Sequence, residues 1–180
     1  MSSALAIAST TQHSAPQPRT IHTISLLVAD EPGVLVRVAM VFSRRGYNIE
    51  SLVVSSAAMS GFSRMTITSS GDTAILEQMI KQLAKLVDVV HAIDHTHDEA
   101  YETEIALVKL ECSTEDRAEI LQIAEHFNAK VVDYGLKSMV LRVYGSSEKL
   151  DAIVSLLSEF KVAELVRSGK ILMARGIETT

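Results

Sequence analysis

Six consecutive residues, Asp30-Glu31-Pro32-Gly33-Val34-Leu35, combine carboxylates, a turn and the start of an apolar helical pattern. The N–H groups of a first helical turn have no intrahelical acceptor, and they carry the positive end of the helix dipole. A small carboxylate fits there. Gly33 lets a ligand approach the backbone closely and tolerates a positive φ. Asp30 can accept a hydrogen bond from an ammonium group. Together these residues suit a free amino acid. The same spacing also describes an N-cap aspartate followed by a turn glycine, and spacing alone favours that commoner pairing.

A second set is histidine-rich. His91, His95 and His97 lie among Asp94, Asp98 and Glu99, an imidazole–carboxylate mixture that could bind a metal. A solvated linker is the favoured reading, because such ligands without a fixed frame are common. Cys112 sits in an apolar stretch and reads as a buried, inert thiol rather than a nucleophile. Glu115-Asp116 reads as charge at a helix N-terminus, and Glu99 and Glu102 as solvated linker. Met59 and Met79 read as packing residues. No G-x-S-x-G elbow, phosphate-binding loop or G-x-G-x-x-G is present. The residues alone therefore point to a binding module rather than an enzyme.

Composition narrows the partners. The chain has 180 residues, 47% hydrophobic and 22% charged, enough for one domain or two small ones. A net charge of -5 argues against a general nucleic-acid binder, and 4% aromatics with no Trp leaves few stacking platforms. A single cysteine excludes an internal disulfide framework and a Cys-rich zinc site. No apolar run reaches the roughly 20 residues of a membrane span. Residues 1–20 are rich in Ser, Ala, Thr, Gln and Pro and lack acids, which predicts a disordered tail. A plastid or mitochondrial transit peptide is the alternative, weakened by Arg19 being its only basic residue.

The elements that must position the candidate residues follow from periodicity. Ile24, Leu26 and Val28 alternate as on a strand, and Val34, Leu35, Val38, Ala39 and Phe42 recur as on a helix stopped by Gly46. Strands are predicted at 48–55 and 62–69, a helix bearing Ile75, Leu76, Met79, Ile80, Leu83 and Leu86 on one face, and a strand at 87–93. The order is β-α-β-β-α-β. A polar stretch, 94–103, holds two His and four acids. The order then repeats, with strands at 104–112, 130–133, 139–144, 162–166 and 171–174 and helices carrying Ala118 to Phe127 and Leu150 to Phe160. The expectation is an α+β protein of two ferredoxin-like βαββαβ units in tandem, over residues 21–96 and 104–180, joined by a linker at 97–103. Such units leave a sheet face bare and edge strands open, so self-association is expected.

The segment D-E-P-G-V-L-V-R-V-A-M-V-F-S-R-R-G-Y-N-I-E-S-L, from Asp30 to Leu52, resembles the opening of the regulatory (small) subunits of acetohydroxyacid synthase, also called acetolactate synthase. The resemblance continues through S-R-M-T-I at 63–67, L-E-Q-M-I-K-Q-L-A-K-L-V-D-V at 76–89, E-I-A-L-V-K at 104–109, K-L-D-A at 149–152 and R-S-G at 167–169. The turn glycine with Val-Leu is generic to ACT domains, whereas R-G-Y-N-I-E-S-L is much more specific. The second half matches at fewer points.

The resemblance implies an N-terminal ACT domain and a chain without an active centre or cofactor of its own. It implies a thiamine-diphosphate-dependent catalytic subunit as partner, with thiamine diphosphate, Mg and FAD held on that subunit only. This chain would raise its activity and confer feedback inhibition by valine or another branched-chain amino acid. It further implies a homodimer through the ACT domains, with the effector between the first turn of one copy and the second strand of the other. Carried over by position, Gly33, Val34 and Leu35 supply backbone groups with Asp30 beside them, and Asn48 and Ile49 come from the partner copy. The Asn48 amide both donates and accepts, which suits a zwitterion. No nucleic acid or membrane is expected, and the location is cytoplasmic, or organellar if residues 1–20 are a transit peptide. The competing readings are a free-standing ACT amino-acid sensor with another client, a ferredoxin-like RNA binder and a histidine-based metal sensor.

Overall fold

The computed structural model describes residues 20–177 and Thr180. The expected tail at 1–20 lies outside the described residues, except for Thr20, which opens the first strand. The first unit contains β1 (Thr20–Ala29), α1 (Val34–Arg44), β2 (Ile49–Ser56), β3 (Phe62–Gly71), α2 (Thr73–Leu83) and β4 (Val89–Asp94). Its antiparallel sheet runs β2-β3-β1-β4, so β2 and β4 are edges. The second unit contains β5 (Tyr101–Glu111), α3 (Asp116–His126), β6 (Lys130–Tyr134), β7 (Ser138–Gly145), α4 (Ser147–Leu157) and β8 (Lys161–Arg167). Its sheet runs β6-β7-β5-β8, the same ferredoxin-like order, with β9 (Ile171–Met173) pairing the start of β5.

Each unit buries its own core between one sheet face and two helices. Ile24, Leu26 and Val28 alternate inward from β1 and meet Val34, Val38 and Phe42 of α1 and Leu76, Met79 and Leu83 of α2. Ala106, Val108 and Leu110 of β5 do the same against Ile120, Leu150, Ile153 and Leu157. The period-2 and period-3.6 patterns thus select the faces that the structure buries. Met79 is fully buried, but Met59 is 56% exposed at the β2–β3 hairpin, so the packing role expected of Met59 is not found.

The stretch expected as linker, 97–103, is shorter than its polarity suggests. Tyr101–Thr103 already belong to β5 and pair Met173, Leu172 and Ile171 of β9. Pairing with a strand distant in sequence overrides the local polar signal.

The second face of the first sheet is polar, yet it is buried by the chain's own C-terminal end. Thr23, Ser25, Thr66 and Thr68 are at most 5% exposed. Lys170 of the β8–β9 loop places Nζ 3.4 Å from Thr23 Oγ1 and 2.7 Å from Glu102. Gly169 has φ +82, and a Cβ there would sit 2.8 Å from Ser51 Cβ. Only glycine allows this approach without displacing β2. Arg64 and His91 both hydrogen-bond the Thr180 carbonyl.

Candidate functional site

The β1–α1 junction gathers four of the six candidate residues. Gly33 is the residue preceding α1, with φ +86, and no side chain caps the helix. Val34 N–H donates to the Glu31 carbonyl at 3.4 Å. The next two N–H groups, of Leu35 and Val36, precede the first i→i−4 bond, which runs from Arg37 N–H to the Gly33 carbonyl. Among the described residues neither has an acceptor outside the helix. Asp30 is exposed and is not the cap; its carboxylate accepts a hydrogen bond from Ser63 Oγ at 3.1 Å. Its N–H donates to the Gly61 carbonyl at 2.9 Å, which ties this turn to the β2–β3 hairpin. The capping reading that spacing favours is therefore replaced by an open helix start with an anchored carboxylate beside it. Val34 is buried at 2%, while Leu35 is 42% exposed and leaves apolar surface next to the free N–H groups.

Arg37 completes the junction, and sequence reading passed over it. Its Nη1 would lie 3.1 Å from a Cβ built on Gly33, and its Nε donates to Asp88 at 2.5 Å. The signal available was its position four residues after Gly33, one turn along the helix. Glycine at 33 keeps the guanidinium close to the helix start.

Asn48 and Ile49 are elsewhere in the same chain. Asn48 is exposed just before β2, and its carbonyl accepts a bond from Ser69 Oγ at 2.8 Å. Ile49 pairs Ser69 and Ser69 faces His22, whereas Ala29 faces Phe62. The two levels are about 23 Å apart along β1 at the rise of a β-strand. One copy therefore does not join the two halves of the candidate site. The edge strand β2 supplies a way to do so. Two such edges meeting antiparallel about a two-fold axis would set Ile49 of one copy beside Ser56 of the other, at the end of the sheet where Asp30 and Gly33 lie.

Within the histidine cluster His95 has a structural role, whereas His97 is exposed. Among the described residues no group of three or more His, Cys, Asp or Glu could hold a metal. His95 is 4% exposed, with Nε2 2.8 Å from Ser25 Oγ and Nδ1 3.0 Å from Asp98. It is not part of a solvated linker, because hydrogen bonds to Ser25, Asp98 and the Thr23 carbonyl hold it against β1. Cys112 is buried. Asp116 sits in the first turn of α3, as expected of a helix-terminal charge, and accepts from Ser113 Oγ and N–H at 2.7 and 2.8 Å. Those bonds hold its carboxyl below the ordinary carboxylate value. Among the described residues no helix is long and apolar enough to cross a membrane.

Comparison with known proteins matches both units. Residues 24–91 match the family described as AHAS small subunit-like ACT domain, and residues 103–176 match that described as small subunit of acetolactate synthase. The chain belongs to the acetolactate synthase small-subunit family. The acetolactate synthase small subunit of Mycobacterium leprae is 41% identical over 155 residues, covering 86% of this chain and 92% of that protein. The probable acetolactate synthase small subunit of Archaeoglobus fulgidus is also 41% identical over 155 residues, covering 86% and 97%. The crystal structure of the acetolactate synthase small subunit from Thermotoga maritima superposes with a TM-score of 0.79 at 36% identity, covering 88% of this chain and 99% of that one. Both units of this small subunit thus have counterparts in single relatives of nearly the same extent.

Proposed function

We propose that this small subunit activates the thiamine-diphosphate-dependent catalytic subunit of acetolactate synthase and makes it sensitive to feedback inhibition by valine. Catalysis lies in the large subunit, which also holds the thiamine diphosphate, Mg and FAD. The reaction served condenses pyruvate with a second 2-keto acid. The cytoplasm is the proposed location, in keeping with bacterial and archaeal relatives.

The observation that carries the reading is the uncapped start of α1 with the Asp30 carboxylate anchored beside it. Valine's carboxylate docks on the Leu35 and Val36 N–H groups, and its ammonium faces Asp30. Its isopropyl group lies against Leu35 and Ile49, while Val34, whose side chain is in the core, contributes backbone. A homodimer pairing two β2 edges brings Asn48 and Ile49 of the second copy to the ligand. A ligand placed at this seam can favour one arrangement of the two copies, and a coupling of about 1–3 kcal/mol gives a 5–150-fold effect.

The test is reconstitution with a catalytic subunit and assay of acetolactate formation during a valine titration. Asn48→Ala is expected to raise half-inhibition about ten- to a hundred-fold while activation persists, since a hydrogen bond to a charged group contributes ~1.5–3 kcal/mol. Gly33→Asp should act in the same direction, because it adds a carboxylate and a Cβ where the ligand carboxylate must sit. Unchanged half-inhibition in both variants, with dimerisation intact, would move the effector site elsewhere. Failure of the wild-type chain to activate would overturn the function itself.

A further inference from the structure

The two units superpose element by element in sequence. Adding 82 to the numbers of α1 (Val34–Arg44) reproduces α3 (Asp116–His126), and adding 74 to α2 (Thr73–Leu83) reproduces α4 (Ser147–Leu157). The turn after the first helix is also repeated. Gly46 and Asn128 both have positive φ, +70 and +52, and the next N–H, of Tyr47 or Ala129, returns to the carbonyl five residues back, Phe42 or Ala124. Phe42 therefore corresponds to Ala124, and Tyr47 to Ala129.

In the first unit these two aromatic rings fill the space between the helices and the sheet end. Phe42 is 1% exposed. Tyr47 lies so close to Gly71 that a Cβ there would overlap its ring, and its hydroxyl donates to the Asp72 carbonyl at 3.1 Å and accepts from the Asp72 N–H at 2.9 Å. In the second unit the two alanines leave a cavity of about 700 Å³, open to solvent. Leu121, Ala124, Ala129 and Val131 give it apolar walls, and Tyr144, Lys130, Lys149 and the single carboxylate of Glu125 stand at its edge. Lys149 is held there, with Nζ 3.1 Å from the Tyr144 carbonyl and 5.6 Å from the centre of its ring.

We propose that this cavity receives an aromatic side chain of the catalytic subunit, carried on an acidic segment, and is an anchor point of the regulatory–catalytic interface. The claim rests on the proposed partnership with that subunit. Ala129, in the cavity wall, holds the position that the Tyr47 ring occupies in the first unit. Two lysines against one glutamate give it a basic mouth on a chain of net charge -5. A free metabolite would want a site that closes around most of its surface, and this one is open on one side. Aromatic anchors seated in such pockets dominate protein–protein affinities.

The test uses the full chain and the catalytic subunit. Ala129→Tyr restores the residue found in the first unit and fills the cavity; Leu121→Asp puts a carboxylate on its half-exposed wall. Both are expected to weaken association with the catalytic subunit at least tenfold by titration of activation, with valine binding to the free chain unchanged. Leu121→Asp decides alone should Ala129→Tyr fail to fold by circular dichroism. Association within twofold of wild type in the folded variants overturns the proposal. So does a change confined to the valine response, which would make the cavity a metabolite site. A change in the oligomeric state of the isolated chain would assign it to a second copy and overturn the proposal equally. If wild type itself does not associate with the catalytic subunit, the proposed function falls as well, and the two failures are thereby told apart.

Discussion

The two units have the same strand order and helices of the same length, yet they differ at both ends of the first helix. At its start, α1 has no acidic residue in the first turn, whereas α3 carries Asp116 and Glu119 there, with Asp116 bound by Ser113; neither N-cap residue makes a side-chain capping bond. The second unit thus places negative charge of its own at the helix start, and the first does not. At the other end the contrast reverses. Phe42 and Tyr47 close the first unit, while Ala124 and Ala129 leave the second open. One framework thus has a helix start without acidic residues in the first unit and an apolar opening at the opposite end of the corresponding helix in the second. What differs is which positions each unit fills from within.

The sheet faces differ as well. The polar face of the first sheet is buried under the β8–β9 loop and the C-terminal end. On the corresponding face of the second sheet, Ile105, Leu107, Tyr144 and Val166 remain 40–58% exposed. The first unit is therefore the more enclosed of the two.

The largest expected effect breaks the comparison at its aromatic end. Phe42→Ala should cost about 3–5 kcal/mol in urea unfolding, because it removes a buried ring from a packed core. Ala124→Gly at the equivalent position should cost only about 1 kcal/mol of helix propensity. Similar losses at both positions would mean that the two ends are packed alike.

A smaller effect tests the seam. Gly169→Ala is expected to cost about 1–3 kcal/mol, from a strained positive φ together with overlap on Ser51. Gly46 has a similar φ but nothing within 4 Å of its Cβ position, so Gly46→Ala should cost about 1–2 kcal/mol and leave the seam intact. Hydrogen exchange at the Thr66 and Thr68 amides separates them. Exchange should quicken in Gly169→Ala and not in Gly46→Ala; equal protection would show that the loop does not hold the units together.

The smallest effect concerns the helix starts. Asp116 titrates below its ordinary value because Ser113 bonds its charged form. Its folded pKa is thus lower than its unfolded one, so the stability it contributes is present above the unfolded value and lost as pH falls through the folded value. Ser113→Ala removes the hydroxyl bond but keeps the N–H one, so it should return Asp116 part of the way toward the ordinary carboxylate range and reduce that acid-side loss. An NMR titration of the Asp116 carboxyl reads the shift directly. A titration unmoved by the substitution would mean that the Ser113 hydroxyl does not hold the group.

Much of this was legible before any coordinates. The alternation of Ile24, Leu26 and Val28 and the helical spacing of Val34, Val38 and Phe42 name the buried faces, because side-chain direction follows backbone period. The open helix start was half legible. Gly33 announced a turn, but whether Asp30 capped the helix depended on Ser63, which is remote in sequence and reaches it only through the sheet. Arg37 escaped notice for a similar reason, since its importance comes from lying against Gly33 and Asp88 together. Polarity misled at the histidines, where His95 is buried by a contact with Ser25 of β1, which is remote in sequence.

By itself, then, the order of residues determined the two βαββαβ units, their cores and the location of the glycine turn, all consequences of local periodicity and backbone allowance. Only the tertiary structure decided that Asn48 and Gly33 stand at opposite ends of one sheet, that the C-terminal end covers its polar face, and that Ala124 and Ala129 leave an opening where Phe42 and Tyr47 close one. Those facts depend on contacts between residues far apart along the chain. No local pattern encodes such contacts, because a residue's neighbours in space are chosen by how whole elements pack.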